Sequence, residues 1–267
     1  MVTLKSAREI EAMRRSGAIT SSVLTELMKA VRPGITTGEL DRLAERRIRE
    51  AGGIPTFKGY NGFPGSICAS VNEEVVHGIP GPRMLRDGDL LSIDIGTTLD
   101  GYVSDSAVTV SVGNIARSAR RLLDVTQECL TIGIGQLEAG NRVGDIGAAI
   151  QAHAESHGYG VVRELVGHGV GRAMHEEPQV PNYGEPGTGM ELRPGLVLAL
   201  EPMITAGSRK IRILQDGWTV VTADGKLAAH FEHTIAVTEA GPKILTLREY
   251  AEHPGIERYR PAREAIA

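Results

Sequence analysis

The chain has 267 residues, 41% of them hydrophobic and 23% charged, with a formal net charge of −4. That length can bury a full core. The charge balance lacks the basic footprint of a nucleic-acid or anionic-membrane binder, and no apolar run approaches the ~20 residues of a membrane span.

Ser6-Ala7-Arg8-Glu9 is a capping-box pattern that opens a first helix. Ile10, Met13, Ala18, Leu24, Leu27, Met28 and Val31 give it a buried stripe until Pro33-Gly34 stops it. Thr36-Thr37-Gly38-Glu39 repeats the signal for a second helix, which runs to Gly52-Gly53. MVTLKSAREIEAM holds no apolar signal stretch, and Cys68 and Cys129 make no disulfide framework. The expected location is the cytoplasm, with free thiols.

Residues 57 to 81 start as a Gly-rich aromatic loop and end as a strand entering His77-Gly78-Ile79-Pro80. LLSIDIGTTLDGYVSDSAVTVSV (90–112) then reads as a β-hairpin turning at Asp100-Gly101. A two-residue loop sets Leu99 opposite Tyr102 and Asp94 opposite Ala107. Asp105, two positions from Ala107, then points to the face of Asp94. Two carboxylates that close are costly unless a proton or a cation lies between them.

A third amphipathic helix is expected over 116–137. A fourth, capped by Asn141, runs to Gly158. VVRELVGHGVGRAMHEEPQV (161–180) carries His168 and His175. Strands follow over 196–204, 210–214, 218–222 and 229–237, and residues 254–267 read as a tail. Leu85-Arg86-Asp87-Gly88 precedes Asp94 as Leu192-Arg193-Pro194-Gly195 precedes Glu201, each acid six residues after the glycine. The order helix, helix, strands also occurs twice. Both features predict one α/β (α+β) unit over 1–253, built of two related halves, about 1–120 and 121–250, around one site.

His77, Asp94, Asp105, His168, His175, Glu201 and Glu232 all interrupt apolar strands or Gly-rich turns. Four carboxylates with imidazole can bind two divalent cations. All-oxygen shells suit Mg²⁺ or Ca²⁺, whereas imidazole shifts the choice toward Mn, Fe, Co or Zn. The lack of thiolates argues against structural zinc. His153 and His157 stand one turn apart, but HAESH lacks the glutamate that follows the first histidine of a zincin helix. His157-Gly158 reads instead as a helix end. Glu176-Glu177 reads as a solvated turn. His230 shares the strand face of Glu232, with exposure an equal alternative, and His233 points the other way.

NGFPGSICASVNEEVVHGIPG, LLSIDIG, DGYVSDSAVTV, LVGHGVGRAMHEEPQV, LEPMI, DGWTV and HFEHTIAVTE, in that order, are similar to the motifs of the type I methionine aminopeptidases. The resemblance runs from about Ser6 to Leu247. It implies the pita-bread fold, with antiparallel sheet around a central dinuclear site. It also implies removal of the initiator methionine from nascent chains with a small second residue. The metal ligands it implies are Asp94, Asp105, His168, Glu201 and Glu232, with two divalent ions (Co, Mn, Fe or Zn). Asp105 and Glu232 would bridge, and Glu201 would move the proton of the attacking water. His77 and His175 would contact substrate as catalytic histidines. Tyr60, Phe63, Cys68, Met174 and Trp218 would form the methionine pocket, with Met174 a softer wall than the phenylalanine frequent there. The implied setting is a cytoplasmic monomer near the ribosome, with no nucleic-acid or membrane partner. The competing readings are an Xaa-Pro aminopeptidase of the same fold, a non-catalytic binding protein of that fold, and a two-metal phosphoesterase. The last would need basic residues at the site, where the motifs offer little besides Arg172.

Overall fold

The computed structural model describes residues 2–248, so the tail expected at 254–267 lies outside the described residues. Four helices carry the outer layer: α1 (Ala7–Ala30), α2 (Thr37–Glu50), α3 (Arg117–Ile134) and α4 (Val143–Ser156). Both predicted capping boxes form. Ser6 Oγ accepts from the Glu9 backbone N–H and Thr36 Oγ1 from that of Glu39, while each glutamate accepts from its cap's N–H. Such a box satisfies two helix-end donors that burial would otherwise leave unpaired. The fourth helix departs from expectation. Arg142 is its N-cap residue, with Asp145 accepting from the Arg142 N–H. Asn141 instead donates its amide to the Gln136 carbonyl, closing the turn after α3.

The hairpin forms with the predicted two-residue loop. Asp100 and Gly101 both have positive φ, 51° and 77°, the backbone a type I′ turn requires. Strand Leu90–Leu99 pairs with Tyr102–Ser111 in the register Leu99↔Tyr102, Asp94↔Ala107 and Gly96↔Asp105. Ile67–Val71 flanks it on the other side, setting Cys68 opposite Asp94.

Two long strands read from the sequence are broken. The run 196–204 divides into Val197–Leu200 and Met203–Thr205 around Glu201-Pro202, since proline has no N–H for the ladder. The run 229–237 divides into Ala228–His230 and His233–Thr238 around Phe231-Glu232. In both, the acid sits at the break, where the backbone leaves one sheet for another. Val197–Leu200 and His233–Thr238 belong to a five-stranded sheet, whereas Met203–Thr205 and Ala228–His230 pair in a three-stranded one.

The faint sequence repeat is explicit in the backbone. Gly88 (φ +95°) donates to Val112 O at 2.9 Å, and Gly195 (φ +96°) donates to Val237 O at 2.9 Å. Gly34 N–H reaches Leu85 O as Gly140 N–H reaches Leu192 O, and the Thr36–Met84 bridge matches Arg142–Glu191. The two halves are pseudo-symmetric, each laying two helices over antiparallel sheet. One large apolar cluster runs beneath the helices, joining Leu24, Leu40 and Ile93 of the first half to Leu122, Ile150 and Leu198 of the second.

The halves meet along a seam of hydroxyls. Thr234 Oγ1 accepts the Asp105 N–H at 2.9 Å and donates to the Asp105 carbonyl at 2.8 Å. Ser106 Oγ donates to Glu232 O, and Glu232 N–H donates to Ala107 O. Thr109 Oγ1 exchanges two bonds of 2.8 Å with the His230 backbone. Threonine and serine supply both a donor and an acceptor from one atom, so they can zip two backbones without a regular ladder. Thr234→Val would leave the Asp105 N–H buried and unpaired, a loss of about 1–3 kcal/mol. Urea unfolding of the metal-free variant measures that loss; an unchanged midpoint would discount the seam.

Candidate active site

The hairpin carries Asp94 and Asp105 side by side on one face. The seam brings Glu232 against Asp105 from the opposite half, and the break after Leu200 turns Glu201 toward them. Asp94, Asp105 and Glu232 are buried. Asp94 Oδ1, Asp105 Oδ1 and Glu232 Oε1 have no hydrogen-bond partner. Buried oxygens of this kind are costly unless they bind protons or cations. Burial raises all four carboxyls, Asp105, Glu201, Glu232 and Asp94, above the usual carboxylate range, Asp94 to about 7. The charges of Asp94 and Glu232 add to the rise at Asp105, and those of Asp105 and Asp94 to the rise at Glu201.

His168 completes the group from strand Gly167–Gly169. Its Nδ1 lies 2.8 Å from Gly169 O, and its Nε2 faces Glu201 Oε1 at 3.5 Å and Asp105 Oδ2 at 3.9 Å. Burial, with the neighbouring His175 ring, lowers its pKa to about 4, so the ring is neutral. An imidazole whose Nδ1–H is held by a carbonyl presents the Nε2 lone pair, as metal-binding histidines do. Ligand atoms of Asp105, His168 and Glu232 all lie within 4.8 Å of one another. Orphaned oxygens, converging atoms and an oriented lone pair together fit a divalent metal.

These groups form the floor of a cavity of about 290 Å³. Every residue nominated from the sequence lines it: Tyr60, Phe63, Cys68, His77, Met174, His175 and Trp218 besides the five already described. Phe63 meets Trp218 edge-on at 5.1 Å between ring centroids. His175, exposed at the rim, places Nδ1 2.8 Å from Tyr60 Oη and its ring 4.3 Å from that of His168. His77 has a positive φ of 60°, a strained backbone for a non-glycine residue. Burial lowers its pKa, with His175 contributing. The Cys68 thiol is pushed up by burial and by the nearby acids, so it stays protonated.

The family model of Metallopeptidase family M24 matches residues 11–239. The chain belongs to that family. Its M24 relatives include methionine aminopeptidase 1 of Bacillus subtilis (strain 168), 56% identical over 92% of this chain and 99% of the relative. The methionine aminopeptidase of Clostridium perfringens (strain 13 / Type A) is 52% identical over 92% of this chain and 99% of its own length. The solved methionine aminopeptidase of Thermotoga maritima matches with a TM-score of 0.91 at 44% identity, covering 93% of this chain and all of that one. The prolidase from Pyrococcus furiosus, at 21% identity and a TM-score of 0.75, shares the fold alone, over 92% of this chain and 66% of that one. The fold is the M24 pita-bread, and the Xaa-Pro enzymes are distant structural relatives of this chain.

Several residues of this M24 chain stand differently from their sequence reading. His230 is buried, so the exposed alternative is wrong. Its Nε2 lies 3.8 Å from Glu201 Oε2 and 4.0 Å from Glu232 Oε2, and neither ring nitrogen has a partner. The face it shares with Glu232 was the available signal. Glu176 is no solvated turn: it pairs with the buried Lys5 at 2.7 Å and accepts the Arg172 and Ala173 N–H groups. That carboxylate fixes the loop that carries Met174 and His175. Arg172 stacks on Tyr102 and donates to its hydroxyl, away from the cavity. Among the described residues, no lysine or arginine lines the cavity, and the metallopeptidase family match displaces the phosphoesterase reading. Val76, Leu165, Val166 and Met203 join Phe57 in completing the apolar wall, and nothing local in the sequence marked those four. Behind Glu232, the buried Arg248 donates to Ser106 Oγ. Among the described residues, no helix is long and apolar enough to cross a membrane.

The titration signs give a test. The site histidines, whose pKa values are lowered on folding, stay neutral in the folded chain near neutral pH, whereas in the unfolded chain they shed their protons around pH ~6.5. Asp94, raised on folding to about 7, still holds near that pH a proton that the unfolded chain has released, and burial acts in the same direction on Asp105, Glu201 and Glu232. Metal-free protein therefore loses stability as pH rises through about 7, the range in which Asp94 releases its proton, whereas at lower pH the histidines oppose the trend. Melting temperatures in chelator should fall across that range, and a saturating divalent metal should flatten the slope. A flat metal-free profile would contradict the charge arrangement.

Proposed function

We propose that this chain removes the N-terminal methionine from nascent proteins and peptides whose second residue is small. One observation carries the reading: a floor of four acids and His168 lies directly beneath a wall of Tyr60, Phe63, Cys68, Met174 and Trp218. Aromatic rings and sulfur suit an unbranched thioether, and a neutral cysteine suits it better than a thiolate. We also propose a single catalytic unit over residues 1–253, with halves of about 1–120 and 121–250, supported by the matched hydrogen bonds of the repeat. A monomer acting in the cytoplasm near the ribosome is the setting such a substrate implies.

Asp94, Asp105, His168, Glu201 and Glu232 would hold two divalent ions, with imidazole favouring Mn, Fe, Co or Zn. Such ions supply Lewis acidity and bring the pKa of a water toward neutrality. Glu201, the acid nearest His168 Nε2, takes the proton of the attacking water and returns it to the leaving amine. His230, on the other side of that carboxylate, is a positioning residue that limits where Glu201 can swing. Tyr60 Oη lies 2.8 Å from His175 Nδ1; in the tautomer that accepts the Tyr60 O–H, His175 carries its proton on Nε2 and can donate to the carbonyl oxygen as it becomes tetrahedral. His77, held by its strained backbone beside Trp218, contacts the substrate main chain.

Release of methionine from Met-Ala-Ser, measured against an Xaa-Pro peptide, tests the specificity; preference for Xaa-Pro would overturn it. Glu201→Ala should lower kcat by roughly a thousandfold or more. His175→Ala should lower kcat by about a hundredfold while KM moves little, and an unimpaired kcat would remove its assigned role. His230→Leu should lower kcat and leave KM within about threefold, with turnover returning in His230→Gln, which restores a donor. Equal loss in both variants would mean that His230 only fills space.

A further inference from the structure

A second convergent set of side chains lies away from the central cavity. His153 lies in the last turn of α4 and His157 is its C-cap residue, and Glu128 faces them from α3. One ligand atom from each lies within 4.8 Å of the other two. None of the three lines the central cavity. His153 Nε2 already stands 2.8 Å from Glu128 Oε2. The two rings lie 4.5 Å apart between centroids at 62°, tilted rather than stacked. His157 Nδ1 is 2.9 Å from the His153 carbonyl. A proton on that nitrogen leaves the Nε2 lone pair free, the arrangement in which a carbonyl fixes the tautomer of a metal-binding imidazole.

We propose that Glu128, His153 and His157 bind a divalent transition metal that prefers imidazole, such as Zn²⁺ or Ni²⁺, as a second site separate from the catalytic floor. Two imidazoles and one carboxylate make a three-ligand set with a fourth position for water. One carboxylate is too few for Ca²⁺ or Mg²⁺, which require more oxygen ligands. A tetrahedral shell of ~2.0–2.1 Å bonds spaces its ligand atoms about 3.4 Å apart. The Glu128–His153 pair, now at 2.8 Å, must open a little, and a pair at the 4.8 Å limit must close by at most ~1.4 Å, adjustments that side-chain rotation can supply. The position favours a cation a second time, because the carbonyl end of α4 carries the negative end of the helix dipole. The ion would tie α3 to the last turn of α4. Both helices pack on the cluster beneath Leu198 and Leu200, so the staple would stiffen the half that carries Glu201.

Equilibrium dialysis of the whole protein against Ni²⁺ tests the site by counting ions. The wild type should hold one equivalent more than His153→Gln/His157→Gln, while the variant keeps wild-type methionine release. Glu128→Gln should weaken that extra equivalent by about tenfold. Saturating Ni²⁺ should raise the melting temperature of the wild type several degrees more than that of the double variant. Equal equivalents and equal thermal shifts in wild type and double variant, with turnover intact, would overturn the proposal.

Discussion

Three hydroxyls hold two strands of unrelated sequence position against each other, and the chemistry of the molecule depends on that contact. Thr234, Ser106 and Thr109 bond the backbone of 105–109 to that of 230–234. Without it Asp105 and Glu232 would sit on separate sheets, each free to find water. With it their carboxyls share a dry space with Asp94 and Glu201. The cost of that crowding is borne by backbone bonds that no titration can break. A site built this way is rigid before any ion arrives, so cation binding need not order the chain.

The scaffold is more symmetric than the site it carries. The repeat makes Glu201 the counterpart of Asp94, each six residues after a left-handed glycine. The same step that takes Val112 to Val237 takes Asp105 to His230 and Ala107 to Glu232. Each half therefore offers two positions on the facing strand, and the halves fill them differently. One half supplies acid and alanine, the other imidazole and acid. This difference leaves His230 buried against Glu201 and Glu232 with no partner of its own. It is also the part of the site that a motif search passes over, because a histidine near the proposed metal-binding acids looks dispensable once five proposed ligands are counted.

Much of the fold was readable because local chemistry decided it. The capping boxes at Ser6 and Thr36, the Asp100-Gly101 turn and the two-residue alternation through Asp94 and Asp105 each depend on a few adjacent residues. The breaks at Pro202 and at Phe231-Glu232 were harder, because apolar residues continue through both and only tertiary pairing shows where the chain changes sheets. Arg142 displaced Asn141 as a cap because Asn141 is used by the preceding turn. The pairing of Glu176 was invisible for a similar reason: its partner, Lys5, lies 171 residues away in sequence. The nominated site residues all reached one cavity, whereas the wall residues Leu165, Val166 and Met203 carried no chemical mark to distinguish them from core.

The seam also sets when the site can exist. Its bonds join residues 121 to 129 positions apart, and Arg248 reaches Ser106 across 142. Contacts that distant close late, because the entropy of a long loop must be met before they give anything back. A chain emerging from synthesis can form the Asp100-Gly101 hairpin early, yet it holds only half of the acids until Thr234 is available. The first half alone is an acidic hairpin with no hydrolytic centre. The peptidase therefore acquires its hydrolytic centre only near the end of its own folding.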